Sequence, residues 1–372
     1  MDRNDLRSQS LDLLRFPLAV VVLAVHASFD GVHNATDHIP LFKAFNGLID
    51  GLLLDQSVPI YFFISGFVFF INVEMNAETY KRKLRNRFKS LFIPYLIWNS
   101  LAIVKLLVFA LPFLSFLFVD QRTFSELDLS PSALAYSFWD TSKGPLPWPS
   151  GTGEMYPIDT PLWFVRDLMI VVLATPLINL VIKKIHSYAV IILGAAWFST
   201  AFFPLGHHSQ LLTAFFFFSW GAYMSICRKD IFIEFGKYRK AATIIYIILS
   251  VAYAMAYCNQ PEAMPVLKRI NQCAGLIFAY NSAAWLLQHN VCRVSRFLAS
   301  ASFFIYVSHA IIIHEVYMIL QRLAVPFTIY QWQTALIHIA TTPVSVCLLL
   351  AVFYLMLHAK AAESGCRQEI RR

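Results

Sequence analysis

The chain alternates long apolar runs with short polar or Pro/Gly-rich punctuation. The runs fall near residues 11–29, 52–73, 90–118, 162–182, 187–204, 211–227, 241–258, 271–289, 297–321 and 333–358. Crossing about 30 Å of hydrocarbon takes about 20 residues of helix, and runs of that order recur from end to end of the chain. The pattern predicts an all-α, polytopic transmembrane helix bundle of about ten spans, a single membrane-embedded domain over 1–372 with no separate soluble domain. The longest stretch between spans, about 119–161, includes KGPLPWPSGTGEMYPIDTP and reads as an ordered or semi-ordered loop rather than a helix.

Ten spans place both termini on one side, and the cations say which. Lys and Arg collect in short cytoplasmic loops. With the N-terminus inside, the inner segments hold dense clusters such as Lys81, Arg82, Lys83, Arg85, Arg87 and Lys89, or Arg228, Lys229, Lys237, Arg239 and Lys240. The outer segments hold only Lys43, Arg122, Lys143, Lys268, Arg269 and Arg322. Both termini are therefore expected in the cytoplasm. The first run ends in His26, Asp30 and His33 and reads as a retained span rather than a cleaved signal peptide.

Composition agrees. Of 372 residues, 58% are hydrophobic and 14% charged, with mean hydropathy +0.58, which is too apolar for an ordinary soluble domain. The net charge of +8 follows from the inner loops and is not read as a nucleic-acid footprint. The six cysteines show no metal-like spacing; Cys258 and Cys273 flank one predicted outer loop, where a disulfide is geometrically allowed. No internal repeat is visible, and neither a paired-histidine metal motif, a GxSxG elbow nor a P-loop occurs.

Against that background LDLLRFPLAVVVLAVHASFD, 11–30, stands out, because an ionisable group inside a span is costly and rarely kept without a task or a partner. Arg15 and His26 are eleven residues apart, about 20° beyond three full turns, so one helix face carries both, roughly 16 Å apart along the axis. Asp12 is three residues before Arg15 and Asp30 four after His26, spacings at which helical side chains meet. The plain structural reading has Arg15 snorkelling to inner headgroups and His26 hydrogen-bonded to a neighbouring helix. Their shared face argues for a common task.

The same stretch resembles the start of the acyltransferase family 3 membrane proteins, whose first helix carries LDxLRxxAxxxVxxxH; Arg15 and His26 fall on its Arg and His. VPIYFFISGFVFF, 58–70, is similar to the family's second-helix signature, ending at Ser65, Gly66 and Phe67. YKRKLRNRFKSLFIPYLIW, 80–98, resembles the basic stretch leading into Pro-Tyr. PLWFVRDLMIV, 161–171, resembles its Trp-Phe motif, and SFFIYVSHAIII, 302–313, its late SxxIYxxH signature. The basic stretch departs from the family's Arg-x-x-Arg: counting back from Pro94, the first position is Arg87 and the second falls on Ser90, while Arg82 and Arg85 also fit the spacing.

The resemblance implies an integral-membrane O-acyltransferase of the bacterial inner membrane. It would move an acyl group, acetyl before succinyl, from a cytoplasmic acetyl-CoA or other acyl-CoA to a hydroxyl of an envelope polysaccharide or glycolipid. No permanently bound cofactor, metal or nucleic acid is implied, membrane lipids surround the chain, and oligomeric state is left open. His26 would act as general base or as a transiently acylated nucleophile. Arg15, held by Asp12, faces the side where a phosphate-bearing donor enters, with Arg87, Arg82 or Arg85 adding to the rim. For most members of that cluster the positive-inside signal is the better explanation. Trp163 is balanced between interface anchor and path lining. Arg166 with Asp167 reads first as a structural ion pair and second as acceptor binding, Ser65 and Gly66 as a packing device, and His309 as a hydrogen-bonded residue. The alternative from another class is a transporter or flippase using Arg15 and His26 as a substrate or proton path.

Overall fold

A computed structural model describes residues 3–27, 55–111, 127–141, 155–203, 205, 207–259, 264–324 and 332–369. Its described elements are helices throughout, with no strand among them: α1 (Arg3–His26), α2 (Asp55–Phe70), α3 (Ala77–Arg87), a π-helical turn (Phe88–Phe92), α4 (Ile93–Phe109), α5 (Pro131–Ser137), a 3₁₀ turn (Thr160–Leu162), α6 (Trp163–Leu173), α7 (Thr175–Ile185), α8 (Ser187–Ser199), α9 (His207–Ile226), α10 (Ile231–Gly236), α11 (Arg239–Asn259), α12 (Met264–Gln288), α13 (Arg296–Ala324) and α14 (Trp332–Glu369). Every predicted apolar run lies at least partly on a helix. Among the described residues four helices are long and apolar enough to cross a membrane: Asp5–His26, Ala77–Phe109, Arg296–Ala324 and Leu336–Ala359. A fifth span forms if the bent pair Thr160–Leu173 and Thr175–Ile185 counts as one.

Three elements differ from expectation. The third helical unit starts at Ala77 rather than near 90, because the basic stretch is itself helical: Asn76 caps it by accepting from Thr79 N at 2.8 Å. It joins α4 through the π turn. Pro94 has no N–H and its ring crowds the carbonyl four residues back, and the widened turn lies immediately before it. The fourth run is broken by 61° at Ala174. Pro176 cannot close a helical hydrogen bond there, and Thr175 Oγ1 donates to Val172 O at 2.7 Å. Within 119–161 the chain forms the short helix α5, capped by Ser130, where a loop was expected. Of the two cysteines considered for a bridge, Cys273 is a free thiol, and the side chain of Cys258 lies outside the described residues.

Between helices in lipid there is little hydrophobic driving force, so close packing must come from small residues and complementary shape. The crossing of α2 with α9 has this form. A Cβ on Gly66 would lie 2.0 Å from Phe218 O, and one on Gly221 would lie 2.0 Å from Phe63 O, so each glycine admits the other helix's backbone. Around that crossing Phe62, Phe63, Phe67, Phe69, Phe217 and Phe218 are buried. A second cluster joins α1, α13 and α14 through Ala19, Leu23, Ala27, Ala301, Ile305, Ile313, Val346 and Leu349. Its alanines let α1 lie close against α13. Helix α1 also packs on α12 and α2, which makes it a central wall of the bundle.

Candidate active site

His26 ends α1 and remains partly exposed. The position is held from behind, because His338 on α14 donates from Nδ1 to Ala27 O at 3.1 Å. Facing it from α13 is His309, whose ring centroid is 5.1 Å from that of His26. His309 is 0% exposed. Its Nδ1 lies 2.7 Å from Tyr306 O and 3.2 Å from Ile305 O. A carbonyl only accepts, so Nδ1 carries the proton, and in the neutral ring Nε2 is a lone pair. That Nε2 is buried and makes no hydrogen bond.

An aromatic wall connects this pair to Arg15. Tyr306 lies 6.1 Å from His309, ring to ring, and its hydroxyl donates to Pro161 O, which ties α13 to the 3₁₀ turn. Tyr61 on α2 lies 6.2 Å from Tyr306 and 5.8 Å from Phe164. Its hydroxyl donates to Arg15 O at 2.6 Å. Two of the quoted motifs, 58–70 and 302–313, thus meet α1 along one surface, and a third, 161–171, packs on their Tyr61 and Tyr306.

Arg15 pairs with Asp12 at 2.9 Å, their side chains 37% and 36% exposed. Of the three arginines on the basic stretch, Arg87 is the partly buried one and repels Arg15 electrostatically, whereas Arg82 and Arg85 are exposed. Two guanidinium groups brought into each other's field, one of them half paired, suit an anionic ligand. Lys83 turns elsewhere, donating to Phe69 O and lying over the Phe69 ring.

The remaining sequence candidates sit apart from this surface or beneath it. Arg166 and Asp167 are each 0% exposed and paired at 3.0 Å. Arg166 also donates to Trp139 O at 2.8 Å and Met155 O at 3.0 Å, and lies over the Trp139 ring, so it ties α6 to the segments on either side of residues 142–154. Trp163 is half-buried against the main core, as the first residue of α6. Ser65 is half-buried beside Gly66 at the α2–α9 crossing. Asp30 lies outside the described residues.

Several residues at or near the site were not singled out in the sequence. Tyr61 and Tyr306 lie inside quoted motifs, yet only the fold shows that their hydroxyls hold Arg15 and Pro161. His338 is an ionisable residue in an apolar run, a signal of the same kind as His26. Lys105 and Glu315 are charges in apolar helices and pair at 2.7 Å between α4 and α13, with Lys105 also donating to Ile311 O. Asp159, just ahead of the 3₁₀ turn, is 2% exposed and neither carboxylate oxygen has a partner. Burial pushes its carboxyl up to about 7, with Lys105 opposing the shift. No group of His, Cys, Asp and Glu among the described residues could hold a metal ion.

A search of curated proteins and a search of solved structures returned no match to this chain. The family model described as acyltransferase domain does match, over residues 8–354, nearly the whole length. That span takes in Arg15, His26, Arg87 and His309, and the chain belongs to acyltransferase family 3: it is a membrane acyltransferase.

Proposed function

We propose that the protein transfers an acetyl group from acetyl-CoA, entering at the cytoplasmic side, to a hydroxyl of an envelope polysaccharide or lipid-linked sugar in the bacterial inner membrane. The observation that carries this reading is the facing pair of His26 and His309, with the His309 tautomer fixed by its backbone bonds. A sugar hydroxyl is a weak nucleophile near neutral pH and needs its proton removed as it attacks. His26 takes that proton while the hydroxyl oxygen bonds to the thioester carbonyl carbon. The C–S bond then breaks, and the proton passes from His26 to the departing sulfur, giving the ester and free CoA. The alternative order, in which His26 is first acylated and the hydroxyl then attacks, uses the same residue and the same balance of protons.

Arg15 and Arg87 would hold donor phosphates, since a planar guanidinium matches a phosphate's oxygens with two parallel hydrogen bonds. Asp12 and the Tyr61 hydroxyl fix the side chain and backbone of Arg15, so that little ordering remains when the donor arrives. On the reading of ten spans with both termini cytoplasmic, that end of α1 lies inside and His26 lies toward the outer half. Succinyl transfer by the same chemistry is the close runner-up within this class.

The test is purified protein in nanodiscs with radiolabelled acetyl-CoA and glycans from the producing cell. Labelled glycan from wild type and none from His26→Ala, at equal protein in the membrane, is the expected result. Transfer retained by His26→Ala would remove His26 from the reaction. Donor-independent passage of glycan across a liposome would replace the reading with transport.

A further inference from the structure

A cavity of about 610 Å³ opens where α2, α7 and α9 end, between the turn after α2 and the turn after α9. Its volume is that of a small-molecule site. Four cations line it, Arg7, Lys183, Arg228 and Lys229, against two acids, Glu74 and Asp230. The acids are in part committed or outnumbered: Asp230 accepts from Phe232 N at 2.9 Å to cap α10. Lys229 reaches Glu234 at 3.8 Å, but among the described residues Arg7, Lys183 and Arg228 have no carboxylate partner.

Cations near helix C-termini are expected on electrostatic grounds, which accounts for Lys183, Arg228 and Lys229 taken singly. Arg7 is different. It lies near the N-terminus of α1, where a cation is disfavoured, and its guanidinium is held 5.4 Å from the centroid of the Phe67 ring, which leaves its N–H donors unspent. Asn72 and Arg228, one in each turn at the mouth, each lie just past a helix C-terminus in the left-handed conformation that ends many helices, at φ 53° and 51°.

Arg7 is eight residues before Arg15, about 12 Å further along α1 from His26 and roughly 80° around the helix. A ligand whose reacting end lies at His26 would therefore meet Arg15 and Arg87 first and this cavity last. We propose that the cavity is a phosphate-ester site and, resting on the donor reading above, that it takes the 3′-phosphoadenosine end of acyl-CoA. An anionic lipid headgroup presents the same phosphate chemistry at this face, so the experiment must separate the two sources.

The full chain in phosphatidylcholine nanodiscs is titrated calorimetrically with adenosine 3′,5′-bisphosphate, a probe that needs no turnover. Wild type is expected to bind it. Arg7→Gln, and Arg228→Asn, chosen because Asn accepts the left-handed backbone, should each weaken binding about tenfold with unchanged melting temperature. In turnover, Arg7→Gln should raise KM for acetyl-CoA about tenfold and KM for acetyl-dephospho-CoA, which lacks the 3′-phosphate, less than twofold. Absence of bisphosphate binding in wild type, equal binding by both variants, or an equal KM change for both donors overturns the proposal. Phosphatidylglycerol retained by wild type and lost in Arg7→Gln, without bisphosphate binding, gives the cavity to lipid and also overturns it. Bisphosphate bound through Arg7 by a protein that transfers no acetyl group would instead overturn the transfer reading and leave the cavity's assignment standing.

Discussion

His309 stands against His26 with ring centroids 5.1 Å apart, its Nδ1 proton committed to Tyr306 O and its Nε2 buried without a partner. A buried acceptor without a donor is expensive and calls for an occupant. An N–H of His26, directly or through a water, is the nearest chemical match, and accepting it would leave the other His26 nitrogen as a lone pair for a substrate hydroxyl. His309 is then a positioning residue: it sets the tautomer of the base rather than touching substrate.

That division of labour predicts different losses. His26→Ala should lower kcat by about 10²–10⁴, the usual contribution of a general base. His309→Gln should lower kcat less, on the order of tenfold, with KM for acetyl-CoA within about twofold and the acid limb of the pH–rate profile displaced. A His309→Gln enzyme with wild-type kcat and pH profile would reduce His309 to packing.

Donor binding separates the basic stretch. Arg87 is half-buried and within the field of Arg15, while Arg82 and Arg85 are exposed. Arg87→Ala should raise KM for acetyl-CoA about tenfold, a loss of roughly 1.4 kcal/mol. Arg82→Ala and Arg85→Ala should leave it within about twofold. Steady-state kinetics on the three variants decides, and equal effects would return the cluster to a topology signal.

The two glycines of the α2–α9 crossing make a structural prediction. Gly66→Ala places a methyl 2.0 Å from a carbonyl oxygen, which no side-chain rotation relieves. The helices must part, at a cost of about 1–3 kcal/mol or more. Gly66→Ala and Gly221→Ala should each lower the melting temperature in detergent by several degrees, whereas Gly236→Ala, where nothing lies within 4 Å, should lower it far less. Equal shifts at all three positions would count against the crossing.

The apolar runs made the helices legible, and one helix's periodicity was enough to place Arg15 and His26 on a common face, with the Asp12 pair at its end. What stayed hidden depends on contacts between helices. The role of His338 rests on its reach to Ala27 O, and that of Tyr61 on its reach to Arg15 O, across sequence separations of 311 and 46 residues. The start of α3 was masked for another reason: its charged residues break the apolar pattern, although Lys and Arg favour helix as strongly as most apolar residues do. The burial of Arg166 follows from backbone carbonyls at 139 and 155, acceptors that no residue pattern displays.

Asp159 yields the pH prediction. Its carboxyl is 2% exposed, both oxygens lack partners, and the nearby donors are turned away: Tyr306 OH to Pro161 O, Tyr95 OH to Phe138 O and Asn99 Nδ2 to Tyr95 O. Burial raises the group from 3.8 to about 7, with Lys105 pulling the other way. Between those values the folded protein holds a proton that the unfolded chain has released. Stability attributable to this group is therefore fully present below about pH 4 and is lost as pH rises through about 7, by at most on the order of 4 kcal/mol. Asp159→Asn removes the titration while keeping the shape. In the difference between the two proteins the contributions of all other groups largely cancel. The melting temperature of Asp159→Asn minus that of wild type should thus rise between pH 4.5 and pH 7.5, by several degrees. A difference that stays flat across that range would mean that the Asp159 carboxyl is solvated or paired in the folded protein.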